Sequence, residues 1–221
     1  EFNDQAMDID TISILSSIKD SVRNLTLHSS FADANLNGAF YFSSLFSDLQ
    51  KLSHEFQLNL RNNKEELAVY YSKKPKTTQE YQVNFTLDLK DINPLLSLVN
   101  LPLRLSEESR IEGSFTNGFT SRLQAFSRID TIAYQGKYFI DNEIEFSGSK
   151  IRDSTKVLAV LSIESNRQQF AKNFATKELF AEAVWDEDHI DFGLDFDQEG
   201  TTNYVRLQSE IDFLKDSTKI K

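Results

Sequence analysis

The chain has no cysteine, three prolines and seven glycines in 221 residues, and no apolar run near bilayer length. Without cysteine there are no disulfides, thiol nucleophiles or thiolate metal sites, although this assigns no compartment. A membrane-spanning helix needs about 18 consecutive apolar residues, so no helix of that kind is expected. Scarce glycine and proline disfavour tight two-residue hairpins, and the turns are expected to be polar and loose. Positive charge is also short, with 24 Lys+Arg against 34 Asp+Glu and a net charge of −10. Nucleic acid requires a basic patch, and the largest cluster is Lys73, Lys74 and Lys76 beside Pro75, which reads as a solvated turn. No nucleic-acid partner is expected. The Glu1-Phe2 start, with neither initiator Met nor signal peptide, reads as an internal cut.

Catalytic constellations are missing as well. His28, His54 and His189 are scattered. The run Asp186-Glu187-Asp188-His189 with Asp191 has Ile190 where a calcium loop needs an oxygen ligand, so it reads as an acidic turn. Asp195 and Asp197 fall on the wet face of a strand. There is no phosphate loop, nucleophile elbow or helical zinc pair. Asn24-Leu25-Thr26 and Asn84-Phe85-Thr86 fit the glycosylation pattern, but on strands they carry little weight. No enzyme activity, metal or cofactor is expected.

What is abundant is ring surface: 18 Phe in a chain whose mean hydropathy is only −0.43. That balance suits amphipathic strands. Tyr81, Val83, Phe85, Leu87 and Leu89 alternate with Gln82, Asn84, Thr86 and Asp88, the period of a strand with one apolar face. The period then changes. Ile92, Leu95, Leu96, Leu98 and Val99 recur at helical spacing, Pro94 suits a first turn, and Asp91 or Asn93 can cap it. Leu103, Leu105, Ile111, Gly113 and Phe115 resume the strand pattern.

The rest of the chain repeats this unit loosely. Ile14, Leu15, Ile18 and Val22 predict a short helix over 12–22, so residues 1–24 read as a helical lead-in. Strands follow at 25–31 and 36–42, with a turn at 33–35 between them. Leu45, Phe46, Leu49 and Leu52 predict a helix over 43–56, and Leu58 and Leu60 a return to strand. Leu67, Val69 and Tyr71 predict another strand, and 73–79 a polar turn. Between Phe126 and Tyr134 the alternation slips by one, which a bulge explains. Strands are expected at 138–146, 157–163, 179–185, 190–196 and 205–213, a third short helix near 168–178, and a frayed tail over 215–221. The spacing of strands and turns is that of an antiparallel meander.

Such a sheet has two outcomes. Its apolar face closes against another sheet as a sandwich or barrel, or it stays open as a trough for a ligand or partner. The open form is an all-β elongated antiparallel meander curled into an apolar trough with a few short helical insertions. About ten strands at 4.8 Å give a trough on the order of 50 Å long. Its expected lining is Val83, Phe85, Leu87, Leu89, Ile140, Ile144, Phe146, Leu161, Ile163, Phe192, Leu194 and Phe196, with no charge pointing in. The apolar helices at Leu45–Leu52 and Leu95–Val99 would cover an edge or an open mouth.

LTLHSSFADANLNGAFYFSSL (Leu25 to Leu45) and FTLDLKDINPLLSLVNLPLRLSEESRIEGSFTNG (Phe85 to Gly118) carry a family resemblance. In these phrases, with the DINPLL plug and the GSFTNG strand end, the chain resembles the Bacteroidota-type branch of the TamB family, in the AsmA-like group of bridge-like lipid-transfer proteins. The resemblance extends as strand texture over most of Leu25 to Phe213. It implies a middle segment of a β-taco trough in the periplasm of a diderm bacterium, anchored in the inner membrane by a segment outside this sequence. It also implies phospholipid acyl chains in the groove, an outer-membrane barrel partner of the TamA type, and a part in outer-membrane biogenesis or secretion. The family brings no catalytic residues. Two other readings are a chaperone-like scaffold that pairs its strand edge with nascent outer-membrane strands, and a closed β-sandwich surface-binding module.

Overall fold

The computed structural model describes residues 11–74, 79–214 and 218–221. Among the described residues thirteen strands form one antiparallel sheet that is not closed into a barrel. Strands β1 (Ile12–Lys19), β2 (Val22–Ser29), β3 (Ala32–Gly38) and β4 (Tyr81–Leu89) lie side by side. Helices α1 (Phe42–Leu60) and α2 (Lys64–Lys73) leave the sheet between β3 and β4. Helix α3 (Asn93–Leu98) and β5 (Leu103–Leu105) intervene before β6 (Ser109–Asn117), which pairs with β4. From there the meander runs through β7 (Thr120–Tyr134), β8 (Lys137–Ile151), β9 (Val157–Ala171), β10 (Phe174–Asp186), β11 (His189–Gln198), β12 (Tyr204–Phe213) and β13 (Thr218–Ile220). Strand β5 pairs off this path with β7.

A single layer leaves much surface in water. The accessible area is 14314 Å², against roughly 10,300 Å² for a compact protein of this mass. The seventeen residues outside the described ranges could account for at most about 2,700 Å² of that difference as extended chain, which leaves roughly 1,300 Å² or more of the excess to the sheet.

The core sits at one end of the strands. Phe40, Leu45, Leu52, Tyr81, Val83 and Phe115 are buried together, with Leu36, Leu49, Phe56 and Leu123 packed against them. Leu45, Leu49, Leu52 and Phe56 form one stripe of α1, which is why this segment is helical and which face it buries. At 19 residues α1 is about 28 Å long. It reaches from the β4 side, where Leu45 packs, to β10, where the Phe56 ring meets Trp185 at 5.8 Å. The sheet makes room for it at Gly148, where a Cβ would come within 3.0 Å of the Phe56 ring.

Several expectations need correction. The helix expected over 12–22 is a hairpin, β1 with β2, because Ile14 and Ile18 also fit a period of two and the pairing with β2 decides between the periods; residues 1–10 lie outside the described ranges. Residues 33–35 are inside β3, and the turn precedes it at Ser30 and Phe31. Leu58 and Leu60 continue α1. Leu67, Val69 and Tyr71 belong to α2, where the Asn63 side chain accepts from the Glu66 N–H at 3.1 Å and fixes the helix start. The helix near 168–178 is the hairpin of β9 and β10, since Phe170 and Phe174 meet across its turn at 5.9 Å. In the expected tail, 218–220 pairs with β12 as β13; 215–217 and the Lys76 position lie outside the described ranges.

The phase slip is present and extends further than expected. Pairing skips Asp130, Asp141, Asn166 and Glu178, and Asp141 and Glu178 have φ of 52° and 53°. The register between β10 and β11 moves by one residue just there. Carbonyls released at the break find side-chain donors. Asn142 Nδ2 donates to Ile129 O and Phe139 O, and Gln168 Nε2 donates to Ser165 O, while Thr176 donates to Gln168 Oε1. That explains why polar Asn142, Ser165, Gln168 and Thr176 are buried.

Candidate functional site

Residues paired directly across neighbouring strands share a face, so the register builds the site. One row runs Ile14, Leu27, Ala34, Leu87, Ile111, Ser127, Ile144, Ile163, Ala181, Leu194, Leu207, through eleven strands with one hydroxyl as its only polar group. The next row runs Leu25, Leu36, Phe85, Gly113, Ala125, Phe146, Leu161, Ala183, Phe192. Eleven strands stacked at about 4.8 Å make the longer row roughly 50 Å long.

The two rows are covered unevenly. A third row beside them, Val83, Phe115, Leu123, Gly148, Ala159, Trp185, lies on the α1 side and holds the buried core. Away from α1 the face stays wet. Leu161 is 37% exposed, Phe192 38%, Leu207 52% and Ile14 62%. The opposite face carries registered ion pairs, Arg128 with Glu143 at 2.8 Å and Arg206 with Asp195 at 2.9 Å.

Of the expected lining, Val83, Phe85, Leu87, Ile144, Phe146, Leu161, Ile163, Phe192 and Leu194 fall in these three rows. Leu89 lies one row further along β4, buried opposite Ala32 and Ser109. Phe196 pairs with Val205 past the register shift. Ile140 does not belong: beyond Asp141 it pairs with Thr131 and Arg167 in a polar row, because the left-handed residue breaks the alternation. Val83 is 1% exposed under α1, so it supports the helix rather than an open surface. The expectation that α1 covers an edge or mouth also needs correction, since its apolar stripe seals the face itself. Leu27, Leu36, Ile111, Ala125, Ala181, Ala183 and Leu207 were not among the expected positions, and only the register reveals them. At the far end, Asn93 holds α3 to β5 by two 2.9 Å bonds to the Leu105 backbone, while Asp91 accepts from the Asn93 N–H.

Charges do point inward at the α1 end, contrary to expectation. Glu55, 2% exposed, accepts from the Tyr70 and Tyr71 hydroxyls at 3.0 Å each and pairs with Lys74 at 2.6 Å. Burial first, then the Glu55 charge, pushes both phenols well above the usual tyrosine range. Tyr81 is raised in the same way, by burial and then by Asp48. Lys150 lies above the Tyr71 ring at 5.1 Å, and burial pushes its ammonium down to about 8. Arg23 also turns to this face, donating to Phe40 O at 3.2 Å. Elsewhere, His189 spends both ring nitrogens on Asp212 (2.7 Å) and Asp191 (3.0 Å). Among the described residues no group of three or more His, Cys, Asp or Glu is arranged to hold a metal ion, and no helix is long and apolar enough to cross a membrane.

Comparison with protein-family models, curated proteins and solved structures found no match to this chain.

Proposed function

We propose that this chain is a TamB-like segment of a periplasmic translocation and assembly module, whose open apolar face carries phospholipid acyl chains between the inner and outer membranes. The observation that carries the reading is the pair of apolar rows, one crossing eleven strands of the unclosed sheet and the other nine, with large side chains left in water along them. An apolar strip of this length calls for an occupant, and hydrocarbon fits a surface with no hydrogen-bonding pattern to read. Such a face selects acyl chains and is indifferent to headgroups. On this reading the full-length protein is anchored in the inner membrane and meets an outer-membrane barrel of the TamA type, supporting outer-membrane biogenesis.

One observation favours a second reading. Among the described residues β1 pairs only with β2, and its Ile12, Ile14, Leu15 and Ile18 are all at least 49% exposed. A free apolar edge could pair with a nascent strand as a chaperone-like scaffold does. Among the described residues there is a single sheet, which does not favour the closed sandwich.

Native mass spectrometry of the purified chain, with lipid extraction, separates the two. Co-purified phospholipid lost on charging Phe85 and Phe192 supports the trough. A lipid-free monomer whose function is lost instead through prolines in β1 supports the scaffold.

A further inference from the structure

A pocket of about 320 Å³ lies on the far side of α1, where the strands end. Its ionisable lining is four cations, Lys51, Lys74, Lys150 and Arg152, against two carboxylates, Asp48 and Glu55. That is a local excess of positive charge in a chain whose net charge is −10. Both carboxylates are already occupied. Asp48 accepts from Lys51 at 2.9 Å, the Tyr81 hydroxyl at 3.1 Å and Asn117 at 2.9 Å. Glu55 is filled by Tyr70, Tyr71 and Lys74.

Lys51 and Lys74 are neutralised in those pairs, and among the described residues Lys150 forms no ion pair. The Lys150 ammonium, on a residue only 2% exposed, donates to the Ser154 carbonyl and faces the Tyr71 ring, with Lys74 as a neighbouring like charge. The carboxylate that attracts it, Glu55, is the one already filled. Arg152 pairs with the exposed Asp153 at 3.4 Å, a residue outside the pocket lining, and lies over the Phe119 ring at 5.6 Å. A buried ammonium short of a counter-charge is costly, and its lowered pKa has that cause. Hydroxyl donors face the same space from Ser43, Ser44 and Ser47. These serines open α1, which has neither a side-chain cap nor an acidic residue in its first turn.

We infer that this pocket binds an oxyanion of the phosphate class, with Lys150 and Arg152 supplying the charge and the α1 serines the hydrogen bonds. The site does not depend on the lipid reading, because α1 separates it from the open rows. A soluble phosphate ester and a phospholipid headgroup present the same group to it.

The test titrates the purified chain by calorimetry with glycerol 3-phosphate, and separately with short-chain dihexanoyl phosphatidylglycerol. Saturable binding is expected, weakened about tenfold or more by Lys150→Met and by Arg152→Gln, as expected for loss of a hydrogen bond to a charged group. The more exposed Arg152 keeps the test valid if Lys150→Met does not fold. Binding of glycerol 3-phosphate alone assigns a soluble ester. Binding of both, with each displacing the other, assigns a headgroup. Failure of both ligands to bind, or binding that survives both substitutions, overturns the inference. Acyl-chain retention is read separately, so loss of one property leaves the other standing.

Discussion

Replacing Phe192 and Phe115 by alanine and by aspartate distinguishes an open face from a closed core. Phe192 is 38% exposed and is flanked across the sheet by Ala183 and Ser209, so little is wedged against its ring. Full burial of such a side chain contributes about 1.5–3 kcal/mol, so Phe192→Ala is expected to cost only about 1–2 kcal/mol. Phe192→Asp adds at most about 1 kcal/mol of lost strand preference, because its carboxylate stays hydrated. Phe115 is 1% exposed, lies between Val83 and Leu123, and meets the Tyr81 ring at 6.0 Å under α1. Phe115→Ala is expected to cost about 3–5 kcal/mol. Phe115→Asp buries a carboxylate with no partner and unfolds the chain. Urea unfolding followed by circular dichroism gives all four values. If Phe192→Asp unfolds the protein as Phe115→Asp does, the Phe192 face is a closed core and the reasoning fails.

Three further outcomes follow from local geometry. A Cβ at Gly38 would sit 2.1 Å from the Gln82 carbonyl oxygen of β4, so Gly38→Ala is expected to cost about 1–3 kcal/mol in urea unfolding; a neutral result would contradict the β3–β4 register. Lys150 titrates near 8 when folded and near 10.5 when unfolded, so the unfolded chain binds more protons between those values and stability rises with pH there. The gain from pH 8 to 9, below the range in which the unfolded tyrosines ionise, is expected to be about 1 kcal/mol and to disappear in Lys150→Met; a flat profile in the native chain over that range would contradict the burial. His189 has its pKa raised by hydrogen bonds to Asp212 and then Asp191, so its stabilisation is complete below the unfolded value of 6.5 and is lost as pH rises through the folded one. Its imidazole NMR titration is expected to move down towards 6.5 in Asp212→Asn, and an unchanged midpoint would contradict the pairing.

The sheet was legible wherever one signal acted alone. From Tyr81 to Leu89 strict alternation meets no rival period, and Pro94 with the leucines after it marks α3 locally. The slip near Asp130 shows because alternation fails there. At β1 Ile14, Leu15, Ile18 and Val22 satisfy a helical period as well, and its partner β2 is needed to choose. For α2 a signal was present: Asn63 followed by Glu66 three positions later is a helix-start pattern, and it outweighs the alternation of Leu67, Val69 and Tyr71. The lining was partly legible because alternation gives a face within a strand. It fails at Ile140, where the left-handed Asp141 resets the phase, and a φ value is not written in the local pattern. The charged cluster of Glu55, Tyr71, Lys74 and Lys150 was invisible for another reason. Its members come from a helix, a neighbouring helix end and a strand almost a hundred residues away, and only the path of α1 across the sheet brings them together.

The central claim, that the open rows hold acyl chains, is tested most directly by site-specific photo-crosslinking. A benzophenone side chain is placed at Leu161 or Phe192 on the open rows, and at Glu145 or Asp191 one register step away on the other face. The chain is then irradiated with radiolabelled phospholipid. The account predicts label at Leu161 and Phe192 and little at Glu145 and Asp191. Equal labelling of both faces, or none at the open rows, would contradict it.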